Sequence, residues 1–322
     1  MSQIDTISLG KTSVKVSRLG IGVMIWGEPK GLFGRFNPAQ FAYGGIKSRE
    51  VEKKAFDTAI EKGINFFDTA AMYSNGGSEL RLGELAENKN VIIATKFPPG
   101  FFTRTKALEK SLDNSLKRLK RVKIDLYQHH YPTKWISIKQ LMNKMADAAE
   151  EGKIDAIGVS NYSKEQMEEA YEVLEKRNIP LASNQIQYSL LNRKPEFDGT
   201  IDMCKELGVS LIAYQPLASG ALTGKYTIRK PNGFRKRTKF FSKKNQKYIL
   251  EVLDILQRIG ENHNKSTSQV ALRWLLENPP VIPIPGVRDE NQVLSNLGAL
   301  QFELSKTEYE ELNEASTYWL NN

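Results

Sequence analysis

Short apolar runs alternate with amphipathic segments along the whole chain, and this alternation constrains the fold more than any other feature. Most of the runs are continuously apolar, as in VIIAT and SLIAY, which is typical of parallel strands buried on both faces. Strands that alternate with helices predict a parallel sheet. The eight predicted strands are Leu19–Val23, Asn65–Asp68, Val91–Lys96, Ile124–His129, Ile154–Ser160, Ala182–Gln187, Ser210–Tyr214 and Val281–Ile284.

Two observations favour a closed barrel over an open, doubly wound sheet. No G-x-G-x-x-G motif follows the first strand, because Gly20, Gly22 and Gly27 have the wrong spacing and lead into no helix. Polar residues also recur at the C-terminal ends of successive strands, where barrel enzymes place their sites. We therefore predict an α/β fold, a (β/α)8 TIM barrel. No linker or internal repeat divides residues 1–322, so one domain is expected.

Segments outside the alternation predict a hairpin and long loops. The opening residues TISLGKTSVKVS predict a short β-hairpin that turns at Gly10 and Lys11, and Gly31–Gly45 is a long irregular insertion. Long loops at the C-terminal face of the barrel would shape a substrate pocket. These loops are expected at Ile25–Lys47, Pro98–Thr103, Tyr131–Trp135, Pro216–Lys247 and in the C-terminal tail.

Two helices between the strands are clear from their patterns. Thr103–Leu119 begins with a threonine that can cap it and ends in a basic turn, which suits the helix dipole. Ser48–Glu61 carries its apolar residues on one stripe, which comprises Val51, Ala55, Phe56, Ala59 and Ile60.

The positive charge of the chain is concentrated in one segment. Lys and Arg number 46 against 37 acids, and Ile228–Lys247 alone holds nine Lys or Arg and no acid. Without that segment the chain is neutral. A local excess of this kind indicates a nearby anionic ligand or a solvated loop, and both remain open. Binding to nucleic acid would rest on charge alone, since no recognisable motif accompanies it, so no nucleic-acid partner is expected.

Several classes of protein are not expected from the sequence. No stretch approaches the roughly 18 apolar residues that a membrane helix needs, so no membrane partner is expected. The residues Met1–Asp5 lack the pattern of a secretory signal. The single cysteine, Cys204, is predicted to be a small core residue in a helix. These features favour a cytoplasmic location.

Polar side chains with complementary chemistry lie at three successive strand ends. Asp68 ends one strand and Tyr73 follows five residues later; Lys96 ends the next strand, and His129 and His130 close the one after it. Because strand ends of a barrel converge on one mouth, we expect these groups to lie close together.

This combination of groups suits the reduction of a carbonyl. Such a reaction needs a hydride donor on one face of the carbonyl and a proton donor at its oxygen. A free tyrosine, with a pKa of roughly 10, is a weak acid. A lysine ammonium beside Tyr73 would ease proton release, and a carboxylate would hold that lysine in place. A neutral histidine can orient the carbonyl oxygen.

The sequence resembles the aldo-keto reductase family from about Leu19 to Leu300. The stretches that carry the resemblance include GINFFDTAAMYSNGGSE, LYQHHYP, GKIDAIGVSNYS, LIAYQPLASGALTGKY and VIPIPGVRDENQVLSNLGAL. Their phrasing is most similar to bacterial and plant-plastid reductases of broad or unassigned substrate. The resemblance implies that Asp68, Tyr73, Lys96 and His130 form a catalytic tetrad, with Tyr73 as the general acid in reduction.

The adjacent histidines are separated by that resemblance and by strand geometry. Related sequences commonly have L-Y-Q-x-H-W-P, which aligns His130 with the catalytic position and Tyr131 with the tryptophan. Alternation along a strand sends the two side chains to opposite faces. We therefore choose His130 for the site and expect His129 to pack beneath a helix. For the same reason we predict no metal site.

The resemblance also implies an NADPH/NADP+ site. Ser160, Asn161 and Gln185 would bind the nicotinamide carboxamide, and Tyr214 would stack on the nicotinamide. Leu217, Ser219 and Lys225 would line the diphosphate, although Gln215 stands where a serine is usual. Arg288 would hold the 2′-phosphate, which favours NADPH over NADH, and Gln292 and Asn296 would hold the adenine. The remaining predicted cofactor contacts are Gly22, Val23, Met24, Asp68, Pro216 and Gly286.

The expected activity is therefore NADPH-dependent reduction of a small-molecule aldehyde or ketone to an alcohol. An alternative is a nucleotide-binding regulatory barrel, either a channel subunit or a redox sensor, with little turnover. The predicted loops are rich in aromatic residues, which makes an apolar or aromatic aldehyde plausible, and pyridoxal is one candidate. The sequence leaves the oligomeric state and the physiological direction open.

Overall fold

A computed structural model describes residues 4–29, 47–98, 105–226, 235 and 237–321, and every structural statement concerns these residues. The predicted insertion Gly31–Gly45 lies wholly outside them, as does most of the stretch 227–236. Ten strands are described: β1 Thr6–Ser8, β2 Lys15–Ser17, β3 Ile21–Gly22, β4 Phe66–Asp68, β5 Ile92–Phe97, β6 Ile124–His129, β7 Ile154–Ser160, β8 Leu181–Gln187, β9 Ser210–Tyr214 and β10 Val281–Pro283.

Eleven α-helices are described in the same residues. They are α1 Arg49–Glu61, α2 Gly77–Leu85, α3 Thr105–Leu119, α4 Ile138–Glu150, α5 Lys164–Glu175, α6 Lys194–Phe197, α7 Thr200–Leu207, α8 Gln246–His263, α9 Thr267–Leu276, α10 Glu290–Leu297 and α11 Lys306–Ala315.

The strands β3 to β10 form one parallel sheet in sequential order, and this sheet closes on itself. Closure occurs between the first and last strands. The amide of Gly20 donates to the Pro283 carbonyl at 3.0 Å, and the amide of Gly22 donates to the Pro285 carbonyl at 3.1 Å. The amide of Val287 returns a bond to the Gly22 carbonyl at 3.3 Å. The predicted (β/α)8 barrel and its eight strands are therefore confirmed, with strand ends that differ from the prediction by no more than two residues.

The N-terminal hairpin forms as predicted and packs against one end of the barrel. β1 and β2 are antiparallel, and Gly10 at their turn has φ 58°, a left-handed value that favours glycine. Leu9 and Val16 are fully buried in the same apolar cluster as Phe66, Leu126 and other side chains of the barrel interior. The hairpin therefore extends the interior core at the end opposite the strand carboxyl ends.

A larger apolar core lies between the barrel and its helices. The stripe predicted for α1 packs into it: Ala55, Phe56 and Ala59 are fully buried, whereas Val51 and Ile60 are half-buried. Ser48 caps the helix as an acceptor for the Val51 amide. Cys204 is buried in α7, as predicted.

Candidate active site

A cavity of about 490 Å³ opens at the carboxyl ends of the barrel strands. This is the end at which parallel barrels carry their sites. The predicted residues that line it are Gly22, Met24, Asp68, Tyr73, His130, Ser160, Asn161, Gln185, Tyr214, Gln215, Pro216, Leu217, Ser219, Lys225, Gly286, Arg288, Gln292 and Asn296.

Two predicted residues lie behind the cavity wall instead of lining it. The side chain of Val23 is fully buried in the core, and its amide and carbonyl bond Asp68 and Ser78. Lys96 is also fully buried, beneath the wall. Any contact that these two residues make with a cofactor would therefore be indirect.

Lys96 and Asp68 form a buried ion pair at the ends of β5 and β4. The Lys96 Nζ donates to Asp68 Oδ1 at 2.6 Å and to the Thr69 carbonyl at 2.7 Å. Both side chains are excluded from water. Burial lowers the pKa of the Lys96 ammonium, and the neighbouring Asp68 carboxylate opposes this effect. Each charge thus has its counter-ion in a site where an isolated ion would be unfavourable.

Tyr73 stands on a strained turn directly over this pair. The Lys96 Nζ lies 5.2 Å from the centroid of the Tyr73 ring. The next three residues, Ser74, Asn75 and Gly76, all have left-handed backbone conformations, with φ of 51°, 51° and 85°. Three successive residues of this kind make a tight reversal that aims Tyr73 at the cavity before α2 begins.

A second ion pair holds that turn from behind. Arg118 of α3 lies against Gly76 and donates from Nε to Glu79 Oε2 at 2.6 Å. The other oxygen of this fully buried carboxylate accepts the Thr95 hydroxyl at 2.6 Å, and Thr95 precedes Lys96 in β5. Glu79 therefore links the turn that carries Tyr73 to the strand that carries Lys96.

The Tyr73 phenol is held in its neutral form. Burial and the nearby Asp68 carboxylate raise the pKa of Tyr73 well above 10. From the sequence we expected the Lys96 ammonium to ease proton release from Tyr73. In this site burial and the Asp68 charge have the larger effect on the pKa of Tyr73. The hydroxyl is protonated throughout the physiological range, which is the state that a proton donor requires.

His130 lines the cavity, whereas His129 lies on the opposite face of the strand. The His130 and Tyr73 rings meet edge to face with centroids 5.8 Å apart, and Tyr131 stacks on His130 at 4.8 Å. His129 is buried away from the cavity, where its Nδ1 is 2.8 Å from the Tyr162 hydroxyl. The separation predicted from strand alternation is therefore what the structure shows.

Both imidazoles are neutral at physiological pH because they are buried. Burial lowers the pKa of His129 to about 4. Burial, with a smaller contribution from the Lys96 charge, lowers the pKa of His130 to about 3. His130 can therefore hydrogen-bond a carbonyl oxygen without carrying a positive charge.

The predicted carboxamide residues form a connected network beside the histidine. Ser160 Oγ donates to the Gln185 carbonyl at 2.8 Å. Asn161 Nδ2 donates to the His130 carbonyl at 3.0 Å, and Asn161 Oδ1 accepts the Tyr214 hydroxyl at 2.9 Å. These bonds fix the amide groups and the Tyr214 ring relative to the imidazole.

The cavity continues between an irregular loop and the start of α10. Gln215, Ala218, Ser219 and Gly220 all have positive φ, so the backbone of this loop reverses several times as it borders the cavity. Lys225 and Arg288 place cationic side chains on the same cavity. The Arg288 amide donates to Gln292 Oε1 at 2.9 Å, which ties the arginine to α10.

These residues fit a dinucleotide phosphate. The cavity combines amide and hydroxyl groups on one set of strand ends with cationic side chains on a loop and a helix start, as a ligand with a carboxamide and several phosphates requires. Gly22 borders the cavity where an added Cβ would lie 3.2 Å from the Ile284 carbonyl, so the closure of the barrel also sets the shape of this wall.

Other lining residues were not named individually as site residues in the sequence interpretation. The loop prediction covered Tyr131, Thr223, Tyr226 and Arg235. Tyr131 was aligned with the tryptophan of related sequences without a role, and Arg235 also belongs to the basic segment, but nothing distinguished Thr223 and Tyr226 from their neighbours. Arg235 lies over the Tyr226 ring and hydrogen-bonds its hydroxyl. Local spacing could have indicated Ser295, which precedes Asn296 in α10. The further lining residues are Ile25, Met72, Gly220, Ser268, Ile284 and Pro285.

Two further properties concern the part of the chain that the structure describes. It contains no group of three or more His, Cys, Asp or Glu side chains arranged to hold a metal ion. None of its helices combines the length and apolar character needed to cross a membrane.

The fold is a parallel barrel with a polar, charged cavity at the carboxyl ends of its strands. The chain belongs to the aldo/keto reductase family, whose model matches residues 19–317. It is therefore an oxidoreductase of carbonyl compounds, in a family that generally uses NAD(P)H.

Proteins with known names resemble the chain over most of its length. It is 32% identical to chloroplastic pyridoxal reductase of Arabidopsis thaliana, over 94% of this chain and 84% of the relative. It is 30% identical to aldo-keto reductase yakc of Schizosaccharomyces pombe, whose name includes NADP(+), over 97% of this chain and 91% of the relative. The solved structure of glycerol dehydrogenase from Gluconobacter oxydans superposes with a TM-score of 0.84 at 28% identity, covering 99% of this chain and 97% of that one.

Proposed function

We propose that this protein reduces aldehydes or ketones to alcohols with NADPH, and that Tyr73, Lys96, Asp68 and His130 carry the reaction. The observation that supports this most strongly is the arrangement of a neutral phenol and a neutral imidazole on one cavity above a buried Lys96–Asp68 pair. Family membership supports the reaction type, and the roles of the four residues are our assignment.

In this proposal the four side chains handle the oxygen end of the substrate carbonyl. NADPH, when bound, supplies a hydride to the carbonyl carbon. The Tyr73 hydroxyl and the His130 imidazole hydrogen-bond the carbonyl oxygen, and Tyr73 gives up its proton as negative charge develops there. The Lys96 ammonium stabilises the phenolate that remains, and Asp68 keeps that ammonium charged and in place.

The preference for NADPH is assigned to the cationic groups on the cavity. Arg288 would bind the 2′-phosphate, because a guanidinium presents paired donors to a phosphate. Lys225, with Leu217 and Ser219, would hold the diphosphate, and Arg235 extends this set from the basic segment. Ser160, Asn161, Gln185 and Tyr214 would hold the nicotinamide end, with Gln292 and Asn296 at the adenine. Gly22, Val23, Met24, Gln215, Pro216 and Gly286 complete the proposed cofactor site, Val23 from behind the wall.

We also propose a cellular location and a domain organisation for the chain. A single, buried cysteine suits a reducing compartment, which favours the cytoplasm. We also propose that residues 1–322 work as one domain, because a single closed sheet spans β3 to β10.

The proposal is tested by following NADPH oxidation against a panel of carbonyl compounds, repeated with NADH. The panel includes pyridoxal, because one relative is named a pyridoxal reductase, together with methylglyoxal and nitrobenzaldehyde. We expect turnover with several members and a higher kcat/KM with NADPH than with NADH. The Tyr73→Phe variant keeps the ring and loses the proton donor, so its kcat should fall at least 100-fold while NADPH binding persists.

Two results would contradict different parts of the proposal. Wild-type turnover by the Tyr73→Phe variant would remove the assignment of the general acid. Tight NADPH binding with negligible turnover on every carbonyl would favour a regulatory barrel.

A further inference from the structure

One polar side chain near the catalytic pair has no part in the proposed chemistry. Gln128 lies two residues before His130 in β6 and is fully buried in the barrel. It is absent from the residues that line the cavity within the described part of the chain. In the register of the sheet it lies between Lys96 on β5 and Gly158 on β7. A buried amide in such a place needs polar partners.

The polar partner of Gln128 is Asp68, the carboxylate of the Lys96–Asp68 pair. Asp68 Oδ1 accepts the Lys96 ammonium at 2.6 Å. The second oxygen, Oδ2, accepts the Gln185 amide at 2.8 Å, while the Gln128 amide stands behind it at the longer distance of 3.4 Å. Two amides therefore approach one carboxylate oxygen, one at full strength and the other weakly.

The barrel leaves room for the second amide. A Cβ placed on Gly158 would lie 2.5 Å from the Ser183 hydroxyl and 3.0 Å from the Gln128 Cγ, so a larger residue there would clash with Ser183 and press against Gln128. The Gln128 Oε1 is also 3.5 Å from the Gln185 Nε2, which places the two amides side by side. A small shift of Gln128 would shorten its contact with Asp68.

Under the proposed function the Gln185 amide has two possible hydrogen-bond partners, Asp68 and the cofactor. Its amide bonds Asp68 in the structure, yet it also lines the cavity, where we assign it to the nicotinamide carboxamide. If Gln185 turned to the cofactor without replacement, it would leave Asp68 Oδ2 short of a donor. A buried carboxylate oxygen without a donor is unfavourable, and its charge is what holds Lys96.

We propose that Gln128 is a positioning residue. Its amide donates to the Asp68 carboxylate in place of the Gln185 amide when Gln185 turns to the nicotinamide carboxamide. This inference rests on the proposed NADPH site. It makes nicotinamide binding depend on a side chain that does not line the cavity, and it keeps the Lys96–Asp68 pair unchanged during turnover.

The first test is a binding measurement. Gln128→Met keeps the length of the side chain and removes its amide. We expect the Kd for NADPH, measured by titration calorimetry, to rise about tenfold, because one hydrogen bond to a charged group is lost on binding. The Kd for 2′-phospho-ADP-ribose, which lacks the nicotinamide, should stay within about twofold of wild type.

Controls separate this role from a general effect on packing. Ser183→Ala makes a polar-to-apolar change beside Gly158 without touching Asp68, and both Kd values should be unchanged. In the Gln185→Met background there is no amide to replace, so adding Gln128→Met should leave the NADPH Kd where it is. Melting curves verify folding, and Gln128→Leu substitutes if Gln128→Met melts at a much lower temperature.

The second test is a pH profile. In Gln128→Met the pH profile of kcat with NADPH should differ from that of wild type, because the Asp68 carboxylate that holds Lys96 has lost a donor in the cofactor-bound state. A wild-type NADPH Kd together with a wild-type pH profile would overturn the inference. Equal weakening of NADPH and 2′-phospho-ADP-ribose would overturn it as well, since that indicates a structural effect. If the wild-type protein binds no NADPH, the proposed function fails first.

Discussion

At the scale of single residues, the Lys96–Asp68 pair joins chemistry to stability. Each side chain is tolerated in the barrel because the other neutralises it. Hydrogen bonds from Lys96 to the Thr69 carbonyl and from Gln185 to Asp68 complete the arrangement. Removing one charge of the pair should therefore destabilise the fold more than removing both charges.

Lys96→Met should abolish carbonyl reduction and also destabilise the fold. It leaves the Asp68 charge buried without its partner, which costs about 3 to 5 kcal/mol of unfolding free energy at neutral pH. Adding Asp68→Asn removes the stranded charge and should restore most of that stability without restoring activity. Urea denaturation of the two variants and the wild type measures this. Equal stability of the single and double variants would show that the charge of Asp68 is solvated some other way.

At the scale of secondary-structure elements, the turn between β4 and α2 determines where Tyr73 points. Its three left-handed residues end at Gly76, which packs on Arg118. Arg118 cannot move away easily, because Glu79 holds it. The turn is thus braced by α3 as well as by its own backbone.

Gly76→Ala should impair both stability and catalysis. A left-handed φ of 85° disfavours alanine, and its Cβ would lie 2.8 Å from the Arg118 Cδ. We expect a loss of about 2 to 3 kcal/mol in unfolding free energy and at least a tenfold loss of kcat through a displaced Tyr73.

Gly152→Ala is the matched control for this substitution. Gly152 has a similar φ of 76°, and nothing lies within 4 Å of an added Cβ. It should lose about 1 kcal/mol and keep its kcat. Equal effects at the two positions would show that backbone strain alone, without the Arg118 contact, explains the result.

Much of this element-level architecture is predictable from local sequence. Continuous apolar runs mark the eight strands, and the stripe at Ala55, Phe56 and Ala59 marks the buried face of α1. Strand ends bring Asp68 and Lys96 together because the topology leaves them no other place. Alternation along β6 separates His129 from His130 without reference to tertiary contacts.

What could not be predicted depends on partners that are distant in sequence. The buried acids Glu52 and Glu79 look like surface positions of helices until Arg81 and Arg118 arrive from other helices. The burial of Lys96 beneath the wall, and the raised pKa of Tyr73, depend on how completely the site excludes water. The sequence around Gln128 predicts only a strand residue, and its contacts with Asp68 and Gly158 appear only in the folded barrel.

At the scale of the whole molecule, the stability of the fold should depend on pH through Glu52. This residue of α1 is fully buried, pairs with Arg81 of α2 and accepts the Gly27 amide from the loop after β3 at 3.1 Å. Burial raises the pKa of Glu52 from its ordinary value of 4.5 to about 7, although Arg81 opposes the shift.

The direction of this dependence follows from the raised pKa. Between pH 4.5 and 7 the folded state binds more protons at Glu52 than the unfolded state, so its contribution to stability falls as pH rises through that window. The Gln variant cannot titrate. The unfolding free energy of wild type minus that of Glu52→Gln should therefore decrease by about 3 kcal/mol from pH 4.5 to pH 7.5. Denaturant melts across this range test it, and a constant difference would show that Arg81 keeps Glu52 ionised throughout.

The absence of a side chain at Gly158 has a consequence for how this barrel can change over evolutionary time. A methyl group at 158 and a glutamine side chain at 128 compete for the same volume inside the sheet. A lineage that gains a larger residue at position 158 must shorten the side chain at position 128, or first pass through an overpacked intermediate. The residues at 158 and 128 should therefore change together, and a small residue at 158 on β7 should accompany a glutamine at 128 on β6.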